Sequence, residues 1–189
     1  MIITIDFSIH YIIIVSMENF KGFTQLYTGN GKGKTTAALG LALRAIGWGK
    51  RIVIIQFMKK WDYGEVRTIK NLNNIELYQT GTENFVDINN PSEIDIKEAQ
   101  KGLNIAKKYI KSSIDILILD EIVVAAYFKL IKYNDIYDLI DEKNKKLELI
   151  LTGRGATKEL IEKCDLVTEM KDIKHYFEKG INARKGIEF

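Results

Sequence analysis

One nine-residue stretch constrains this chain more than any other: Thr28-Gly29-Asn30-Gly31-Lys32-Gly33-Lys34-Thr35-Thr36. It follows an apolar run at 23–28 with the composition of a strand, and it opens a helical pattern at 34–48. Strand, glycine-rich turn and helix in that order form the context of a phosphate-binding loop, G-x-x-x-x-G-K-S/T, here with Thr28 in the first place. Gly29, Gly31 and Gly33 are expected to take positive φ angles and turn their N–H groups inward. The helix that follows adds its own unpaired N–H groups and the positive end of its dipole. Lys34 supplies a mobile cation for terminal phosphates and Lys32 adds a second positive charge. Thr35 offers a hydroxyl to Mg²⁺, and Thr36 offers one to another phosphate oxygen. A plain glycine-rich turn with solvated lysines has a similar composition, but it does not require the flanking strand and helix.

Further apolar runs lie at 51–58, 75–80, 115–120, 147–152 and 166–170. Several are apolar without alternation (IVII at 52–55, ILIL at 116–119), as expected of strands covered on both faces. Helical patterns fall between them at 93–112, 122–130, 136–142 and 157–163. Ile96, Ala99, Leu103, Ala106 and Ile110 form one stripe, with Pro91-Ser92 as its start signal. Strands alternating with helices predict an α/β fold: a mostly parallel, P-loop NTPase-like sheet of about six strands with helices on both faces. In such a sheet a ligand sits beyond the carboxyl ends of the strands.

The run Ile116-Leu117-Ile118-Leu119 ends in Asp120-Glu121. A carboxylate at the end of an apolar strand beside a phosphate loop is suited to holding Mg²⁺. An ordinary buried strand with a polar end would read similarly on its own. The residues together indicate a chain that binds a nucleoside triphosphate with Mg²⁺. They leave open whether it hydrolyses or transfers the γ-phosphoryl group, senses the nucleotide without chemistry, or uses it otherwise.

Composition narrows the classes. With 189 residues, 46% of them hydrophobic, one domain over 17–189 is expected. The formal charge of +3 is too small to argue for nucleic acid or an acidic membrane surface. One cysteine, Cys164, excludes an internal disulfide and a four-thiolate zinc site. Residues 1–16 (MIITIDFSIHYIIIVS) are apolar but broken by Asp6 and His10. They read as an extension from a mis-called start or an extra strand, too short to span a bilayer and unlike a signal peptide. A cytoplasmic protein is expected.

The segment at 28–59, TGNGKGKTTAALGLALRAIGWGKRIVIIQFMK, resembles the opening of the ATP:corrinoid adenosyltransferases of the CobA/CobO/BtuR type. LILDEI at 117–122, LTGRGA at 151–156 and the tail DLVTEMKDIKHYFEKGINARKGIEF at 165–189 are similar to further blocks of that family, in the same order. The resemblance covers about residues 20–189. It implies transfer of the 5′-deoxyadenosyl group of ATP to cobalt(I) of a corrinoid, with release of triphosphate. ATP is the cosubstrate, with Mg²⁺ (or Mn²⁺). A homodimer and a flavoprotein reductant are implied as well. On the same basis Asn30, Gly31, Lys32, Gly33, Lys34, Thr35 and Thr36 match the ATP loop. Thr35 and Glu121 match the magnesium contacts, with Asp120 beside them. Arg154 matches a nucleotide contact, Arg44 faces the triphosphate, and Lys59 is a weaker candidate of the same kind. Phe85, in Gly81-Thr82-Glu83-Asn84-Phe85-Val86-Asp87, matches an aromatic that packs on the lower face of the corrin. Asp87 stands where some members have Trp. Trp61, Tyr63 and Tyr78 are aromatic alternatives for that surface, and each also reads as ordinary packing.

Overall fold

The computed structural model describes residues 20–189; the extension at 1–16 lies outside them. Six strands form a single parallel sheet: β1 (Thr24–Thr28), β2 (Ile52–Phe57), β3 (Ile75–Thr80), β4 (Ile116–Asp120), β5 (Glu148–Thr152) and β6 (Leu166–Glu169), in the spatial order β3-β2-β4-β5-β1-β6. The helices are α1 (Lys34–Ile46), α2 (Gly64–Ile69), α3 (Glu93–Tyr109), α4 (Ile122–Tyr127), α5 (Tyr133–Glu142) and α6 (Lys158–Lys163). A 3₁₀ turn, Tyr176–Lys179, follows β6.

The uninterrupted apolar runs have a simple cause. Side chains alternate across a strand, so a strand buried on both faces needs apolar residues at every position. Val53, Ile55, Phe57, Leu117, Leu119, Leu149 and Leu151 face a core built with Ala99, Leu103 and Ala106 of α3 and residues of α4, α5 and α6. Ile52, Ile54, Ile116, Ile118 and Ile150 face the other way, onto Ala38, Ala42 and Ala45 of α1 and Ile69 of α2. Alanines on α1 bring that helix close to the branched Ile surface. Each fully buried Leu or Ile contributes roughly 1.5–3 kcal/mol by leaving water.

The six strands and five of the six helices fall where the sequence pattern predicts, with ends shifted by a few residues. Ser92 caps α3: its hydroxyl accepts from the Asp95 N–H at 3.3 Å, and the Asp95 carboxylate accepts from the Ser92 N–H at 3.1 Å. The sixth helix, α2, was not expected. Six residues carry too little periodicity to register, and this turn is stabilised by burying Val66 and Ile69. β6 is the exposed edge strand. No helix among the described residues is long and apolar enough to cross a membrane.

Candidate active site

The phosphate loop leaves β1 and enters α1 at the carboxyl end of the sheet. Gly29 and Gly33 have φ of 94° and 117°, as their expected role requires. Gly31 does not have a positive φ, and here the expectation is corrected. It must be glycine because the chain after β6 crosses it: an added Cβ would lie 2.7 Å from the Lys171 carbonyl carbon and 2.8 Å from the Met170 oxygen. The Gly31 N–H donates to that Met170 oxygen at 2.7 Å. Lys34 curls back and donates to the carbonyls of Gly29 and Gly31, both at 2.8 Å. The N–H groups of Lys34, Thr35 and Thr36 occupy the first turn of α1 and have no intrahelical acceptor.

Strand register builds the opposite wall. Gln56 lies beside Gln79 on one side and Asp120 on the other, and Thr152 lies beside Tyr27. The result is a polar row, Gln79–Gln56–Asp120–Thr152, across four strand ends. Asp120 is buried and accepts four hydrogen bonds. Its Oδ1 receives the hydroxyls of Thr35 at 2.8 Å and Thr152 at 2.7 Å. Its Oδ2 receives Lys59 Nζ at 2.7 Å and Gln56 Nε2 at 3.4 Å. Lys59, the weaker candidate for a nucleotide contact, pairs with Asp120 and lines a cavity with Thr35 and Thr36. Burial is the largest influence and would lower the Lys59 ammonium, but the Asp120 charge and hydrogen bond, with Glu121 and Glu65 behind them, together outweigh it and hold the group above its usual value.

Glu121 takes a left-handed conformation, φ 62°, unusual for a residue with a side chain. Thr152 secures it, accepting the Glu121 N–H at 2.9 Å. Among the described residues, no hydrogen bond reaches the Glu121 carboxylate. Burial pushes this group above the usual carboxylate range and Asp120 pushes it further, opposed by Lys59, Lys34 and Arg154. Thr35 touches Asp120 rather than Glu121.

Arg154 is exposed in the turn after β5. Gly153 (φ 138°) and Gly155 (φ 84°) flank it, and both pack against α4. Burial lowers the Lys34 ammonium, Glu121 opposes this, and the positive charge of Arg154 lowers it further. Arg154 therefore lies within electrostatic reach of both Lys34 and Glu121. Arg44 does not belong to this group. It lies in the last turn of α1, about 15 Å along the helix from Lys34 at 1.5 Å per residue. There it lines a surface cavity with Phe23, Gln25 and Glu148, at the amino end of the sheet. The expectation that it faces the triphosphate is overturned by helix length alone.

Phe85 is 89% exposed. An added Cβ on Gly81 would fall 2.5 Å from the Lys59 nitrogen, so the loops after β2 and β3 pass in backbone contact. This close approach sets Trp61 against Phe85, edge to face, with ring centroids 5.6 Å apart. Trp61 Nε1 donates to the Glu83 carbonyl at 2.8 Å, and its ring stacks on Tyr63 at 6.2 Å. Lys59 Nζ lies 5.6 Å from the Tyr63 ring centre. An aromatic run thus extends from the exposed Phe85 to the Lys59–Asp120 pair. Trp61 is 45% exposed, so of its two sequence readings the structure favours an aromatic surface over ordinary packing. Tyr78 is apart from this run, paired with Tyr109 and Glu76. Asp87 is exposed; its carboxylate accepts the Asn89 N–H at 2.9 Å and its carbonyl the Asn90 N–H at 3.2 Å.

The family model for ATP:corrinoid adenosyltransferase BtuR/CobO/CobP matches residues 20–189. The chain belongs to that family. It is 32% identical over 178 residues to the corrinoid adenosyltransferase of Escherichia coli strain K12, covering 93% of this chain and 90% of that one. It is 35% identical over 181 residues to a corrinoid adenosyltransferase of Sinorhizobium sp, covering 94% and 85%. The crystal structure of the RadB recombinase is similar in fold, with a TM-score of 0.51 over 84% of this chain and 79% of that one, at 16% identity.

Three participants escaped the sequence reading. Thr152 joins Asp120 to Glu121; its signal was a hydroxyl residue ending the strand before the Gly-Arg-Gly turn. Gln56 was visible as the one polar residue in IVIIQF. Glu188 of the tail, which contacts Lys32, carried no local signal.

Proposed function

We propose that this member of the family transfers the 5′-deoxyadenosyl group of ATP to the cobalt(I) of a corrinoid and releases triphosphate. The electron pair of cobalt(I) attacks the ribose C5′. The C5′–oxygen bond breaks, and its electrons leave with the triphosphate. Cobalt(I) is a strong nucleophile, so the protein needs no activated serine or cysteine. Its tasks are to align C5′ with cobalt and to stabilise charge building on the leaving phosphates. The second task is assigned to Lys34 and the N–H groups of residues 34–36, with Arg154 at the rim.

Thr35, Asp120 and Glu121 offer only oxygen donors, which suits Mg²⁺. Glu121 is the one carboxylate of the three residues that accepts no hydrogen bond. It would bind the ion with the Thr35 hydroxyl, while Asp120 orients that hydroxyl. When bound, Mg²⁺ would neutralise part of the triphosphate charge.

The observation that carries the reading is the continuity of the phosphate loop, the Asp120 network and the aromatic run ending at Phe85. One end suits phosphates and the other suits a flat apolar macrocycle. Phe85 is proposed to face the corrin, and Trp61 supplies the second aromatic surface that Asp87 cannot. We extend the proposal to a cytoplasmic homodimer served by a flavoprotein reductant. The test is an anaerobic assay with ATP and chemically reduced corrinoid, followed by absorbance as the carbon–cobalt bond forms and by phosphorus NMR. Triphosphate as product supports adenosyl transfer. ADP with phosphate overturns it.

A further inference from the structure

The tail after β6 returns across the phosphate loop. Met170 and Lys171 pack on Gly29 and Gly31. Beyond the 3₁₀ turn, residues 186–189 line a cavity with Thr35, Thr36, Lys59 and Tyr63. Glu188 anchors this return. Its Oε1 accepts from Lys32 Nζ at 2.9 Å and from the Tyr176 hydroxyl. Its Oε2 accepts from the Arg184 N–H at 2.7 Å and from Arg184 Nε at 3.3 Å.

Lys32 is tied to this strap by an ion pair with Glu188. Its ammonium donates to Glu188 Oε1 at 2.9 Å and makes longer contacts with the Ile187 carbonyl and the Tyr176 hydroxyl, both at 3.3 Å. The Glu188 carboxylate takes the strongest of these contacts and neutralises the charge that Lys32 would otherwise offer a phosphate. The anion that occupies it belongs to the protein and sits at the edge of a loop built to collect phosphate oxygens. A bound triphosphate would meet a like charge there unless the carboxylate moved away.

We propose that Glu188 is a built-in competitor for the phosphate chain: it holds Lys32 when the loop is free and is displaced when phosphates bind. Nucleotide entry then opens the 184–189 strap, and return of Glu188 to Lys32 helps expel triphosphate after the transfer. Glu188 is a positioning residue that holds or releases Lys32 and repels the phosphate chain while it is in place. The inference rests on the phosphate-loop reading above.

The experiment is calorimetric titration of the full chain with inorganic tripolyphosphate at low salt, for wild type, Glu188→Gln and Lys34→Ala. Glu188→Gln is expected to bind about two- to fivefold tighter than wild type, the scale of one exposed charge pair. A merely structural role for Glu188 would leave affinity equal or weaker, and either result overturns the proposal. A second measurement uses wild type alone, so it does not depend on the variant's folding. Tripolyphosphate should accelerate tryptic cleavage after Arg184, read by mass spectrometry; protection at that bond overturns the proposal. Lys34→Ala separates the two levels. If wild type binds and Lys34→Ala does not, the loop reading stands whatever Glu188 does. If wild type fails to bind tripolyphosphate, both readings fall.

Discussion

The Thr35 hydroxyl donates to Asp120 Oδ1 at 2.8 Å, joining residues 85 positions apart in the chain. This bond ties the first turn of α1 to the end of β4. With Thr152 on the same carboxylate oxygen, it fixes the distance between the phosphate loop and the two acidic residues. Oxygen donors held this way need no rearrangement when charge develops on the phosphates.

Lys34→Ala should abolish ATP-dependent adenosylation. Charge-assisted hydrogen bonds are worth roughly 1.5–3 kcal/mol each, so loss of two implies a fall in kcat/KM on the order of 10²-fold or more. Near-normal turnover in the anaerobic assay would contradict the assigned role.

Arg44 and Arg154 should behave oppositely. Arg154→Ala is expected to raise the KM for ATP several-fold, because the charge lies within reach of Lys34 and Glu121. Arg44→Ala should leave it unchanged, because that side chain stands at the far end of α1. A raised KM in the Arg44 variant would refute the placement.

Phe85→Ala and Trp61→Ala should impair reduction of cobalt(II) more than reaction with pre-reduced cobalt(I). A flat aromatic surface against the corrin would exclude a lower axial ligand, which matters for the reduction. Equal losses in the two assays would show that these rings serve another purpose.

Lys59 and Asp120 form the most enclosed ion pair of the site, with side chains 17% and 2% exposed. Lys59→Met leaves Asp120 buried without its cation. It should cost about 3 kcal/mol of unfolding free energy at pH 8, within the range for breaking a buried pair. Because the folded Lys59 is held above its usual value, its contribution is fully present below about pH 10.4, the unfolded lysine value. It is then lost as pH rises through the folded value. Urea titrations of both proteins across that window should show the gap closing; a gap that widens would reverse the sign of the argument.

Cys164 should be chemically quiet. Burial, with a smaller effect from Asp165, pushes its thiol up to about 12. At pH 8 its thiolate is then scarcer than that of a free cysteine, by about 10³-fold. Iodoacetamide should label the native chain more slowly than the urea-unfolded chain by about that factor. Comparable rates would show that the thiol is accessible and ordinary.

The amino-acid sequence by itself determined the strands, most of the helices and the phosphate loop, because these depend on local signals. Apolar runs at 52–55 and 116–119 report a doubly covered sheet. Glycines and lysines at 28–36 report an anion cradle whose parts are neighbours in the chain. The sequence could not decide which distant residues would meet them. Strand order put Gln56 and Thr152 beside Asp120, and the crossing at Gly81 set Trp61 against Phe85. Helix length carried Arg44 away from the loop that its sequence neighbours form, and the return of the tail gave Lys32 a carboxylate partner 156 residues later. Each of these pairings arises from packing between segments far apart in the chain, which no local pattern encodes.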